Sequence, residues 1–283
     1  MVALRVLVLG PLDVRLGEGR TTPSGHRARV VLVALAARAG TPVPLDALID
    51  EVWPEGAPAS ARNSIQSHLS RLRSVVGPGR IERLHEAYQL RIGADELDAL
   101  AFGADCARAR EHATRGRWDE ALAAYDAALT HWRGDAFEGF EDLPSARSWA
   151  VELAEQRVIA VEERVDVQLA RGRHADVVAE LEPLLERHPL RERLWRQQAL
   201  ALYRVDRQAE ALRVLATFRH RLADETGLEA SEGLRRLEAS LLRQDEELRA
   251  PVAAPSGLGP GAPRHRVPTD LQRLDQHPLV GRT

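Results

Sequence analysis

The run from Ser60 to Gly77, SARNSIQSHLSRLRSVVG, carries side chains whose types and spacing suit contact with a polyanion. Wound as a helix at about 100° per residue, it gathers Ile65, Leu69, Leu72 and Val76 into one narrow apolar stripe. Asn63, Ser67, Ser70 and Ser74 point the opposite way, bordered by Arg71 and Ser64 on one edge and by Gln66 and Arg73 on the other. Short hydroxyl and amide groups let a helix come close to the base edges of a DNA major groove, and arginines at the borders meet phosphates or guanines. A good bidentate base contact is worth about 1–3 kcal/mol of discrimination. Phosphate contacts set register and make affinity fall with salt.

On this pattern Arg71 and Asn63 are expected base readers, with Ser64, Gln66, Ser67 and Ser70 beside them. Arg62, Arg73 and Arg80 are expected phosphate clamps, while Arg83, His85, Gln89 and Arg91 belong to a hairpin that could reach the neighbouring minor groove or its backbone. A competing reading makes the serine face an ordinary solvated surface and pairs Arg62 and Arg73 with carboxylates. His68, at the margin of the apolar stripe, reads as a core-edge histidine.

Composition excludes several other chemistries. All 39 basic residues are arginine, so a Walker A loop, a protein kinase and a pyridoxal enzyme each lack their required lysine. GxSxG, HExxH and CxxC are absent, and the single Cys106 supports neither an intrachain disulfide nor a thiolate metal cage. No cofactor or metal is expected. The start, MVALRVLVLG, has too short an apolar stretch for a signal peptide, and no run is long enough to cross a bilayer, so a cytoplasmic protein without membrane contact is expected. Net charge is −3, unevenly spread: residues 1–93 hold 12 arginines against 8 carboxylates, and the remainder 27 against 34. The basic excess concentrates in residues 60–91, with six arginines against Glu82 and Glu86, a footprint suited to a polyanion.

With 283 residues, two domains are expected. ALRVLVLG and PLDVRLG are short β-rich runs, and a third strand is expected near Arg20 to Thr22. Ser24 is the expected cap of a helix through HRARVVLVALAARA that ends at Gly40, and LDALIDEVW forms a second helix that stops before Pro54. The quoted run is the third, closed by Gly77 and Pro78. IERLHEAYQLRI then reads as two β-runs around a His85-Glu86-Ala87 tip. Sheet, three helices and hairpin describe a winged helix-turn-helix over residues 1–93.

From residue 94 to 250 the text is almost wholly helical, and a motif recurs: GRWDEALAAYDAAL from Gly116, GRHADVVAELEPLL from Gly172 and DRQAEALRVLATFR from Asp206. The last two starts lie 34 residues apart, the tetratricopeptide (TPR) period. In register, Ala121, Val177 and Ala211 coincide, as do Leu122, Val178 and Leu212, then Tyr125, Leu181 and Leu215. The first interval is longer and includes HWRGDAFEGFEDLP, read as an irregular loop. Trp118, Trp132, Trp149 and Trp195 are expected between helices. The fold class is thus mainly α with a small β part: a winged helix followed by a TPR-like all-α repeat, which makes a scaffold for proteins rather than a reaction vessel. Beyond Ala250 the stretch PVAAPSGLGPGAPRHRVP turns Pro- and Gly-rich, as a linker does.

PLDV near the start, DALIDEVWPEGAP and SHLSRLRSVVG in the front domain, and HWRGDAF, ELEPLLERHPLRERLW, ALYRVDRQAEALRVL and ETGLEASEGLRRLEASLL behind it resemble the Streptomyces antibiotic regulatory protein (SARP) family. Members join an OmpR-type winged helix to a bacterial transcriptional activation domain. The resemblance implies a transcriptional activator, no enzyme, whose third helix lies in the major groove of direct repeats at promoters of secondary metabolism. It also implies a second copy on the adjacent repeat and contact with RNA polymerase holoenzyme, sigma factor included. The wing tip HEAY departs from the family's Gly-rich turn. DLQRLDQHPLVGRT is similar to the opening of the nucleotide-binding STAND domain of larger AfsR-type members, so the chain is expected to be an N-terminal fragment, with any ATP site beyond it. The rival function is an interaction scaffold whose repeats bind a Ser/Thr kinase, its basic front domain serving as a protein-binding fold.

Overall fold

The computed structural model describes residues 3–248, and the linker and STAND-like opening read in residues 251–283 lie outside them. The first 90 residues alternate short strands with three helices: β1 (Leu4–Leu7), β2 (Asp13–Leu16), β3 (Gly19–Arg20), α1 (His26–Ala36), β4 (Val43–Pro44), α2 (Leu45–Val52), α3 (Ala61–Val76), β5 (Ile81–Leu84) and β6 (Ala87–Leu90). Two antiparallel sheets result, in the orders β1-β2-β3 and β4-β6-β5. α1 is buried almost all round, from Val30 through Ala36 without a break, so it forms the centre of the domain and not an amphipathic surface helix. Its entry differs from the sequence expectation. Gly25, at φ +90°, occupies the N-cap position and makes no side-chain cap bond, which leaves Ser24 one residue outside the cap.

The remaining helices are α4 (Asp98–Thr114), α5 (Trp118–Thr130), α6 (Pro144–Ala170), α7 (His174–Arg187), α8 (Glu192–Arg204), α9 (Gln208–Thr226) and α10 (Glu232–Arg243). Before α5, α7 and α9 the chain makes the same turn three times. The N–H groups of Arg117, Arg173 and Arg207 donate five residues back to His112, Gln168 and Leu202 at 3.0, 3.0 and 2.9 Å. Each turn needs one left-handed residue: Gly116 and Gly172 in the first two, and Asp206 at φ +62° in the third. The equivalent positions Ala121, Val177 and Ala211 are fully buried, as are Tyr125, Leu181 and Leu215, so the expected register is the packing register. Trp195 is buried, and Trp132 and Trp149 lie partly buried against the core. Trp118 departs from expectation, being 39% exposed at the first residue of α5.

The apolar core does not divide where the sequence changes character. One cluster runs from Leu4 through the winged helix and on to Ala160 and Val167; a second begins at Val165 and includes Leu181, Leu194, Leu215 and Leu241. α6 carries residues of both. The lengthened first repeat explains the shared core, because its loop docks on the N-terminal sheet. Arg133 N–H donates to the Leu9 carbonyl at 2.8 Å and Phe137 N–H to that of Val8 at 2.7 Å. Phe137 is itself buried, at φ +58°. Gly10 and Gly134 permit this approach: at Gly10, φ +138°, a Cβ would stand 3.0 Å from Arg133 Cβ and 3.1 Å from Gly134 N.

A buried carboxylate closes the junction from the other side. Asp98, in the first turn of α4, accepts the N–H groups of Val8 and Leu9 at 2.8 and 3.0 Å, and Arg133 lies 3.7 Å away. Burial pushes the Asp98 carboxyl up even though those N–H groups and Arg133 favour its charge. Asp98→Ala strands two buried donors and removes the partner of Arg133. It should lower the unfolding free energy by about 2–4 kcal/mol in urea titration, and a loss under 1 kcal/mol would reject this role.

Two histidines make stability depend on pH. Burial, aided by Arg204, depresses His174, whose ring nitrogens are buried without hydrogen-bond partners; burial, then Arg71 and Arg27, depresses His68. Both stay neutral in the fold where the unfolded chain's imidazoles, near 6.5, take up protons. Stability is therefore expected to fall as pH drops from about 7 through about 6. Urea midpoints should show the decline, and His174→Leu should make it shallower.

Candidate nucleic-acid interface

α3 buries Ala61, Ile65, Leu69, Leu72 and Val76, a spacing of three or four residues that packs one face against α1 and α2. Arg62, Asn63, Gln66, Ser67, Ser70, Arg71 and Ser74 are exposed, with Ser64 and Arg73 at intermediate depth. The slim outer face is therefore solvent-facing. Ser67 donates its hydroxyl to the Asn63 carbonyl at 3.0 Å and Ser74 to that of Arg71 at 2.6 Å, which leaves their oxygen lone pairs available to accept. Arg71 makes no ion pair among the described residues. It stands close enough to His68 to depress it, as does Arg27, whose guanidinium lies 5.2 Å from the Trp53 ring centroid. Arg27 thus joins the basic border of α3. Sequence reading missed it because it lies 44 positions upstream of Arg71 and belongs to another helix.

The other arginines differ in how firmly they are held. Arg62 pairs with Asp46 at 2.9 Å and Glu86 at 3.2 Å, all three side chains more than half exposed. Such a pair is worth about 0–1 kcal/mol, so a phosphate can displace it. Arg73 donates through Nε to the Ile81 carbonyl at 3.1 Å, tying α3 to the hairpin. Arg80 is committed elsewhere: it grips Glu96 with both terminal nitrogens, at 2.7 and 2.5 Å, and the pair is only 25% and 18% exposed. Burial would raise Glu96, but Arg80 and the Gly93 N–H overcome it and hold the carboxyl below its ordinary range. The phosphate-clamp expectation for Arg80 did not foresee this partner, 16 residues downstream, which fastens the hairpin to the start of the helical region.

Hairpin residues are likewise engaged. Arg91 pairs with Glu82 at 2.7 Å, and Gln89 donates to the Gly40 carbonyl at 2.6 Å. Arg83 donates to the His85 carbonyl at 3.0 Å and pairs with Glu86 at 3.3 Å. His85 itself forms the exposed tip at φ +56°, taking the left-handed position that a glycine would occupy more easily. Ala87 belongs to β6, so the tip is two residues, His85 and Glu86. No group of metal-ligating side chains occurs among the described residues, nor is any of their helices long and apolar enough to cross a membrane.

Known proteins share this arrangement. Residues 19–87 match the family described as transcriptional regulatory protein, C terminal, and residues 97–242 match the bacterial transcriptional activator domain. The transcriptional regulatory protein EmbR of Mycobacterium tuberculosis is 35% identical over 244 residues, covering 84% of this chain and 63% of that protein. The regulatory protein AfsR of Streptomyces coelicolor is 40% identical over 248 residues, 87% of this chain but 25% of AfsR. DnrI of Streptomyces peucetius is 32% identical over 253 residues, 86% of this chain and 93% of DnrI. A solved structure of M. tuberculosis EmbR in complex with a low-affinity phosphopeptide superposes with a TM-score of 0.82 at 34% identity, covering 86% of this chain and 66% of that one.

An OmpR-type winged helix that presents a trimmed third helix, joined to a helical activator domain, defines a bacterial transcriptional regulator. The chain belongs to the Streptomyces antibiotic regulatory protein family, alongside AfsR and DnrI. It spans about 63% of the length of EmbR and a quarter of AfsR.

Arg80→Ala is expected to act on the fold. Loss of a half-buried bidentate pair should cost about 1–2 kcal/mol in chemical denaturation, with little change in the salt dependence of DNA binding. A drop of about one in that slope, without lost stability, would instead support the phosphate-clamp role.

Proposed function

We propose that this chain is a sequence-specific DNA-binding transcriptional activator. α3 enters the major groove of one direct repeat near a promoter, a second copy occupies the adjacent repeat, and the helical domain contacts RNA polymerase holoenzyme, its sigma factor included. The targets are genes of secondary metabolism, antibiotic biosynthesis among them. The observation that carries this reading is the outer face of α3, solvent-facing, free of bulk and bordered by the unpaired Arg71. Arg71 and Asn63 read bases, with Ser64, Gln66, Ser67 and Ser70 close to the groove floor. Arg62 exchanges its exposed carboxylates for a phosphate, and Arg73, Arg83 and His85 flank the backbone.

A Ser/Thr kinase as upstream partner is a second reading, favoured by one observation: the similar EmbR structure holds a phosphopeptide. Because this chain spans 66% of that one, phosphopeptide titration against this chain separates a site within the shared region from one on the remainder.

Gel-shift titration against promoter fragments at several salt concentrations tests the DNA reading. A specific complex should weaken as salt rises. Arg71→Ala should cut the preference for the cognate site over random duplex by about tenfold or more while bulk affinity changes less. Equal footprints for wild type and Arg71→Ala would refute that role, and no preference for any fragment by the folded chain would refute the function.

A further inference from the structure

A cavity of about 660 Å³ lies where the two apolar clusters meet. Leu129 and Trp132 of the first cluster face it from one side, and Leu184 and Leu194 of the second from the other. Its size falls within the range of sites that hold organic molecules, and its walls are mainly apolar.

One charge in it is poorly provided for. The Arg157 guanidinium lies 4.6 Å from the centroid of the Trp132 ring and makes no hydrogen bond or ion pair among the described residues. Arg187, also lining the cavity, repels it, while Asp135 attracts it from beyond ion-pair distance. Burial, opposed only by Asp135, holds Arg157 below the ordinary arginine value. Arg147, by contrast, already donates to the Glu141 carbonyl at 3.2 Å and pairs with Asp142. A partly buried cation that meets only an aromatic face, inside a mainly apolar cavity, is an incomplete electrostatic arrangement. An anion completes it.

We propose that this cavity binds a small amphipathic organic anion, its apolar body between Trp132 and Leu184 and its carboxylate, or a like-charged head group, between Arg157 and Arg187. The ligand would touch both apolar clusters at once, and α6 carries residues of each, so occupancy ties the N-terminal half of the molecule to the last repeats. The inference is independent of DNA recognition, because binding can be measured with no DNA present.

Two probes test it on the whole chain. Anilinonaphthalene sulfonate is expected to give saturable fluorescence with one site per chain, competed by decanoate and about tenfold less well by decanol, which lacks the charge. Arg157→Gln should weaken the probe and decanoate about tenfold while leaving decanol unchanged. Ala154→Trp, at an exposed position on the cavity wall, should block all three. Circular dichroism and melting of both variants separate lost binding from lost fold, and the exposed site of Ala154 keeps the test open should Arg157→Gln unfold. Non-saturable binding, equal affinity for decanoate and decanol, or affinities unmoved in folded variants would overturn the proposal. So would a cavity that ignores these probes and takes only an acidic amphipathic peptide.

Discussion

The grip of the Asp98 carboxylate on the Val8 and Leu9 amides is the interaction on which the arrangement of this molecule turns. Main-chain donors just past the end of a strand must find partners, and here the first turn of α4 supplies them across 90 residues of sequence. With the Arg133–Leu9 and Phe137–Val8 bonds on the other side, the segment after β1 is held between two parts of the helical region. Charge is tolerated in so dry a place because two N–H groups and one guanidinium meet it together. Glu96 and Arg80 repeat the device nearer the surface, so hairpin and sheet are both fastened to the start of the helices.

That fastening orients α3. Its apolar stripe is fixed against α1 and α2, α1 also touches α6, and the His26 ring stacks on Phe140 of the docked loop at 5.9 Å between centroids. The outer face is presented from a rigid base, and its short side chains lose little conformational entropy on contact. Arg71 alone among the α3 arginines has neither a carboxylate nor a carbonyl partner to leave.

What could be read from the sequence was whatever a period imposes. The stripe Ile65-Leu69-Leu72-Val76 and the aligned Ala121, Val177 and Ala211 announce themselves because burial repeats at helical or repeat spacing. β4 escaped notice: two residues, Val43 and Pro44, form a strand only because β6 lies beside them. Ser24 was misplaced by one residue, since Gly25 takes the turn that determines where the cap falls. The partners of Arg80 and Asp98 were invisible for a deeper reason. A side chain's choice of partner depends on which elements meet in space, and no local pattern encodes that.

The docked loop around Gly134 also bears on how such regulators can be recombined. A chimera cut at residue 93 would give a foreign winged helix the right family boundary, yet would separate Gly10 from the glycine that faces it and Val8 from the carboxylate that accepts its amide. The natural unit of exchange is longer than the family boundary suggests, reaching into α6 near Ala160, where one core gives way to the next. Packing therefore ties the winged helix to the first half of its helical scaffold.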